Sequence, residues 1–371
     1  MPIGYLWTVV VAAIPMLLAL KPLARSGRLG RFSWIVTCVI NEWPLIAVYW
    51  VLASTALAFA QGDIGTPGAW IAVGIGAVTP VVAVVLVRRS LRSQAAVAAA
   101  LKVPPIATRW SRVLYAPLPL SHRGVQRISN LSYGDAGKLN TLDVYHREGG
   151  AAGGGPILIH LHGGAFTSGR KSNEARPLLL HFARRGWVSI SANYRLRPAA
   201  AFPDFLVDVK RVIAWARTHA GEYGGDPQRV FIAGSSAGAH LAATAALTPN
   251  DAVFQPDFED ADTSVAACVG MYGYYGPVTS RSSGLRSSPS DYVHPGAPPF
   301  LIAHGTQDTL VPPTRAHALA EQLRGVSRQP VLWIELPGAQ HTFDLVDSLR
   351  YRSLIDGIEV FAARVLDPGR A

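Results

Sequence analysis

The chain has 371 residues, of which 49% are hydrophobic and only 16% charged, with a formal net charge of +10; average soluble domains carry about 25% charged residues. Residues 1–133 hold 12 basic residues against two acidic ones, Glu42 and Asp63, so the remainder is balanced at 22 of each sign. Basic clusters that flank apolar runs exclude the usual nucleic-acid footprint and fit a membrane, and two cysteines, Cys38 and Cys268, supply neither a disulfide framework nor a metal-ligand spacing.

Both cysteines lie in apolar surroundings and are expected as buried thiols. Three uncharged apolar runs open the chain: 3–20, 43–60 and 69–87. A helix needs about 20 apolar residues to cross the hydrocarbon core, so a transmembrane helical region over residues 1–90 with about three spans is expected. Trp7, Trp43, Trp50 and Trp70 sit mostly near run ends, as interfacial anchors do, and lipid-embedded helices tolerate the internal Pro15 and Pro80. The first run lacks a basic n-region and a clear cleavage site, so it does not read as a signal peptide. The second run is the weakest, because Asn41 and Glu42 stand at its start.

Lys21, Arg25, Arg28 and Arg31 fill the first loop, none of the basic residues falls near Asp63, and Arg88, Arg89 and Arg92 follow the third run. By the positive-inside rule the N-terminus is external and everything after Arg88 is cytoplasmic. The localisation expected is therefore a multi-pass membrane protein of the plasma or inner membrane with its C-terminal part inside. Residues 91–124 read as a juxtamembrane connector: Ser90–Lys102 is Ala-rich and helical in character, then Pro104, Pro105, Pro117 and Pro119 break the chain. A chain beginning near Ala107 is expected to be soluble and active.

From Val125 to the C-terminus short β-rich runs alternate with helical stretches. The runs are Lys138–Tyr145, Ile157–Leu161, Trp187–Ala192, Val230–Ala233, Val265–Met271, Phe300–Ala303 and Val331–Leu336. Helices are expected over Pro203–His219, Gly238–Leu247, Arg315–Leu323 and Leu349–Val365. This alternation predicts an α/β domain over 125–371, a mostly parallel sheet with helices on both faces, whose site lies at the carboxyl ends of the strands.

After Ile157–Leu161 come His162, Gly163, Gly164 and Ala165, where a glycine pair leaves N–H groups unshielded near a bound oxygen. After Val230–Ala233 comes Gly234-Ser235-Ser236-Ala237-Gly238, a G-x-S-x-G sequence with a strand before it and a helix after it. That turn lifts Ser236 toward the cleft and aims the Ala237 N–H at a site for an oxyanion; Ser235 falls on the wrong position of the pattern. Asp308 follows Phe300–Ala303, and His341 follows Val331–Leu336, giving the chain order Ser, Asp, His expected of a hydrolase elbow. Asp344 and Asp347 are rival acids, but they follow His341 and break that order. His317 reads as a surface residue, His160 as a strand residue and His240 as part of the helix after the elbow.

At these residues the sequence resembles the α/β-hydrolase-fold esterases and lipases similar to hormone-sensitive lipase, over roughly residues 125–365. His162-Gly163-Gly164-Ala165 resembles that group's oxyanion motif, Asn193-Tyr194-Arg195-Leu196 its Tyr-Arg-Leu segment, and Gly224-Gly225-Asp226-Pro227 the stretch before its nucleophile strand. The resemblance implies an oxyanion hole built from Gly163, Gly164, Ala165 and Ala237. Two departures are Ala165 in place of a third glycine and Ser235 where many members carry an acidic residue; the high-Ala, high-Arg composition is similar to membrane-anchored actinobacterial carboxylesterases.

The expected reaction is two-step hydrolysis of a small-molecule or lipid ester, with no metal or organic cofactor implied and no nucleic-acid partner. The alternatives are amide or formamide hydrolysis by the same groups, and a catalytically silent membrane-anchored binding module, which the intact Ser, Asp and His disfavour.

Overall fold

The structure, a computed structural model, describes residues 3–105, 110, 114, 123–149, 154–280 and 284–370. Much of the second half of the connector, including Ala107, Pro117 and Pro119, lies outside the described residues. The C-terminal part is built on an eight-stranded sheet in the order β1-β2-β4-β3-β5-β6-β7-β8. The strands are β1 Val125–Ser132, β2 Thr141–Arg147, β3 Gly155–Leu161, β4 Val188–Ala192, β5 Gly225–Ser235, β6 Ala267–Met271, β7 Phe300–Gly305 and β8 Val331–Leu336. The β1–β2 and β2–β4 pairs are antiparallel and the remaining pairs parallel.

The central strands are near-continuous apolar runs because both faces are covered. Along β3, Ile157 and Ile159 enter one core while Leu158 enters the other. Helices α6 (Asp204–His219), α7 (Ala237–Leu247) and α8 (Thr314–Val326) cover the first face. Helices α5 (Arg176–Arg184) and α9 (Leu349–Leu366) cover the second. The expected strand at Lys138–Tyr145 begins at Thr141, after a 3-10 turn over Gly137–Asn140. Strand β1 and helix α5 had no counterpart in the pattern. β1 is an edge strand with mostly exposed polar residues, so no apolar alternation marks it.

The N-terminal part folds into α1 (Ile3–Leu20), α2 (Gly27–Glu42), α3 (Leu45–Ala60) and α4 (Pro67–Leu101). Two of them, α1 and α4, are long and apolar enough to cross a membrane, or three spans if the bent pair α2–α3 counts as one. Residues 27–42, expected as loop, are the helix α2. The chain bends by 86° between α2 and α3. Pro44 has no N–H to continue α2, and Trp43 before it leaves the helical region at φ −136°, ψ 72°. Cys268 is buried in β6, whereas Cys38 on α2 is only half-buried, a departure from the expected pair of buried thiols.

Helix α4 has 35 residues, about 52 Å at 1.5 Å per residue, well beyond a hydrocarbon core of about 30 Å. Its far end carries the Ala-rich stretch and does not hang free. Val97 and Leu101 join the core of Leu354, Ile355, Ile358 and Phe361 on α9. Arg364 also donates to the Leu101 carbonyl at 2.7 Å. A chain beginning near Ala107 would lack α4 and leave that apolar face of α9 uncovered.

Candidate active site

Strand β5 ends at Ser235 and α7 begins at Ala237, so Ser236 occupies the turn between them at φ 54°, ψ −115°. A side chain at that φ is strained and persists only where its surroundings over-determine it. The flanking glycines are sterically required. A Cβ on Gly234 would stand 2.2 Å from the Gly238 carbonyl oxygen, and one on Gly238 2.1 Å from that of Leu161. The Ser236 N–H donates to the Met271 carbonyl at 2.9 Å, which ties the elbow to β6.

His341 lies in the loop after β8, with its Nε2 3.0 Å from Ser236 Oγ. Its Nδ1 lies 2.7 Å from Asp308 Oδ2, in the loop after β7. Asp308 Oδ1 accepts the N–H groups of Leu310 and Val311 at 2.9 and 2.8 Å. Oδ2 also sits 3.1 Å from His304 Nε2. Burial works to raise this carboxyl, but the His341 charge and the hydrogen bonds from His304 and His341 outweigh it and hold Asp308 well below the usual carboxylate range. Gln340 joins the two loops, its Oε1 accepting from Thr309 N at 2.8 Å and His341 N at 3.0 Å. The three sequence-predicted residues thus meet in one hydrogen-bonded line.

The rivals go elsewhere. Ser235 Oγ donates to Asp344 Oδ2 at 2.6 Å and lies 3.0 Å from His160 Nε2, all buried behind the elbow. Tyr272 donates to the other oxygen of Asp344 and packs its ring against His341 with centroids 4.6 Å apart. Asp347 forms an ion pair with Arg352 at 2.7 Å. His317 is exposed beside Glu321. His240 is buried in α7 against the Tyr274 carbonyl.

The segment His162–Ala165 curls beside the elbow. The His162 ring stacks on Tyr194 with centroids 4.4 Å apart, and the Tyr194 hydroxyl donates to the His162 carbonyl at 2.8 Å. Arg195 grips Asp208 with a hydrogen bond of 2.8 Å, which fixes the Tyr-Arg-Leu segment. Gly163 departs from its expected part in the oxyanion hole: its N–H donates to Glu174 Oε2 at 2.6 Å and is not free for a ligand. The N–H groups of Gly164, Ala165 and Ala237 have no acceptor among the described residues. Ala165 holds φ 52°, where glycine is the easier residue, and its methyl is exposed.

Glu174 escaped sequence reasoning. It is half-buried, and desolvation of its carboxyl together with repulsion from Asp344 pushes it up to about 8. A lone Glu in a polar loop gives no pattern to read, and only the fold brings it against Gly163. His304 was visible as the start of the segment ending at Asp308, but its contact with that carboxylate was not.

The BD-FAE family profile matches residues 142–283 and 276–323. A probable carboxylic ester hydrolase, LipM of Mycobacterium tuberculosis, is 36% identical over 98% of this chain and 93% of its own length. Esterase LipQ of the same organism is 38% identical over 69% of this chain and 67% of its own. Among solved structures, Thermogutta terrifontis esterase 2 phosphorylated by paraoxon superposes with a TM-score of 0.55 at 26% identity, covering 67% of this chain and 96% of that one. The elbow, the strand order and a relative that matches nearly end to end lead to one conclusion: the chain belongs to the carboxylic ester hydrolases of the α/β-hydrolase fold, in the hormone-sensitive-lipase-like group that carries the BD-FAE domain.

Proposed function

We propose that Ser236, His341 and Asp308 hydrolyse carboxylic esters through an acyl-enzyme, in a protein held at a membrane by its N-terminal helices. The observation that carries the chemistry is the unbroken line from Ser236 Oγ through the imidazole to Asp308, at 3.0 and 2.7 Å. His341 Nε2 takes the Ser236 proton as the oxygen attacks the ester carbonyl, and the new C–O bond forms while charge moves onto the carbonyl oxygen. The N–H groups of Gly164, Ala165 and Ala237 receive that oxyanion. His341 then gives its proton to the departing alcohol oxygen as the ester C–O bond breaks. Water gives a proton to the same imidazole as it attacks the acyl carbon; the bond from that carbon to Ser236 Oγ then breaks, the proton passes to Oγ, and the carboxylic acid leaves. Asp308 keeps the Nδ1–H tautomer throughout.

Ser236→Ala abolishes hydrolysis of p-nitrophenyl butyrate in a folded protein, while Ser235→Ala retains most turnover, because Ser235 serves Asp344. Paraoxon, which phosphorylates the Thermogutta esterase, labels the wild type and not Ser236→Ala. A dead Ser235 variant beside an active Ser236 variant refutes the assignment.

The membrane reading has α1, α3 and α4 crossing and the hydrolase in the cytoplasm. Its support is that Lys21, Arg25, Arg28 and Arg31 follow α1 while Arg88, Arg89 and Arg92 follow the apolar run of α4, and the two groups are joined where Arg89 donates to the Leu20 carbonyl at 2.9 Å. Reporter fusions after Leu20 and Arg92 score cytoplasmic and one at Asp63 external; an external score after Arg92 refutes the topology.

A further inference from the structure

Helix α2 is amphipathic the wrong way round for a soluble protein. The face it buries is polar: Gly30, Ser33, Thr37, Asn41 and Glu42. The face it leaves open is apolar, with Leu29 58%, Phe32 48%, Ile35 56% and Val39 38% exposed. A helix on a soluble surface does the reverse.

The buried face grips the two loops that carry the acid and the base. The Thr309 hydroxyl, next to Asp308, donates to the Gly30 carbonyl at 2.8 Å. A Cβ on Gly30 would stand 2.9 Å from the Thr309 carbonyl oxygen, so only glycine lets the helix approach this closely. Trp34 Nε1 donates to the hydroxyl of Thr342, next to His341, at 2.9 Å. Asn41 donates to the Gly338 carbonyl at 2.9 Å, and Glu42 pairs with Arg350 and accepts from Ser348 at 2.7 Å.

We propose that α2 lies in the plane of the membrane surface, its apolar stripe in lipid, and brings the triad loops against the bilayer so that the enzyme draws its ester from the bilayer itself. The proposal rests on the membrane reading above. The occupant of the apolar face follows from continuity and charge. The chain turns 86° between α2 and α3, so if α3 stands across the bilayer, α2 runs along it. Helix α2 packs beside α1, whose exposed apolar residues reach the end nearest α2 at Leu17.

Lys21, Arg25, Arg28 and Arg31 are exposed at the start of α2. A helix N-terminus disfavours cations in its first turn, and none of the residues there is acidic. Lipid phosphates are the partner that makes this placement favourable. The carbonyls of glycerol esters sit at the headgroup boundary, at the depth such a helix reaches. A bilayer ester then reaches Ser236 without leaving the membrane as a whole molecule.

The test uses the full chain in nanodiscs containing anionic lipid. A nitroxide on Ile35→Cys in a Cys38→Ser background, or on Leu29→Cys if that variant fails to fold, collides with oxygen more than with a water-soluble nickel chelate. Phe32→Asp and Ile35→Asp lower hydrolysis of a long-chain diacylglycerol in the nanodisc by about tenfold, through the lost apolar insertion of one side chain. The same variants leave p-nitrophenyl butyrate turnover within about twofold, since no lipid insertion is needed for a dissolved ester. A label that favours the nickel chelate, an equal loss on both substrates, no loss on either, or masking of the label by a second copy or protein overturns the proposal. Release of the chain by alkaline carbonate overturns it by removing its membrane. Butyrate hydrolysis that survives Ser236→Ala instead defeats the triad, and the nitroxide still decides the position of α2.

Discussion

Glu42→Gln tests how firmly the N-terminal helices are built into the hydrolase. Glu42 and Arg350 are both 1% exposed in their side chains and form an ion pair between α2 and the start of α9. Glu42 also accepts from Ser348 at 2.7 Å and Asn41 at 3.2 Å. Glutamine keeps the shape and one oxygen, so most of the cost is the Arg350 charge left buried with a carbonyl for company. Removing one partner of a buried pair costs about 3–5 kcal/mol, against about 1 kcal/mol for a single neutral hydrogen bond. At about 2–4 °C per kcal/mol for large domains, the midpoint falls by roughly 6 °C or more. The assay is thermal unfolding in detergent followed by tryptophan fluorescence. Glu42→Leu/Arg350→Met, which removes both charges and fills the space, recovers most of the loss. A midpoint shift below about 1 °C for Glu42→Gln, or a double variant as unstable as the sum of the singles, refutes the buried-pair reasoning.

Asp308→Asn leaves the fold intact and lowers kcat on a soluble ester by about 10⁴-fold, because the imidazole loses its tautomer control; a drop of less than tenfold in steady-state assays argues for another acid. Glu174, held up to about 8 against an ordinary value of 4.5, is neutral in the fold below that value and anionic above it. Its negative charge beside Gly163 then opposes the oxyanion, so kcat falls as pH rises through about 8, and Glu174→Gln flattens that limb of the pH profile. The same group gives stability that is full below pH 4.5 and lost as pH climbs to about 8. His160, His162 and His240 are lowered by burial from 6.5 to about 3, 4 and 4. The fold excludes their protons, so their contribution is present above pH 6.5 and lost as pH falls through about 4, which an acid titration of the unfolding midpoint detects.

The sequence by itself determined the family, the frame and the candidate residues of the site. Gly234, Ser236 and Gly238 are legible as a G-x-S-x-G pattern between a strand and a helix, and the constraint on Gly234 is local to the turn, whereas Gly238 must be glycine because the Leu161 carbonyl lies against it. Asp308 and His341 follow from chain order and from their places after β7 and β8. The central strands announce themselves as apolar runs. Tertiary structure decided what depends on residues far apart in the chain. The Gly163 N–H belongs to Glu174, 11 positions away. Asp344 backs the elbow through Ser235, 109 positions away, and does not orient the base. Glu42, which in sequence only weakened a membrane span, finds its counter-charge 308 positions later. Helix α2 hid for the same reason: its polar face has meaning only against the loops of Asp308 and His341, and local periodicity records which residues share a face but not which face the rest of the fold will bury.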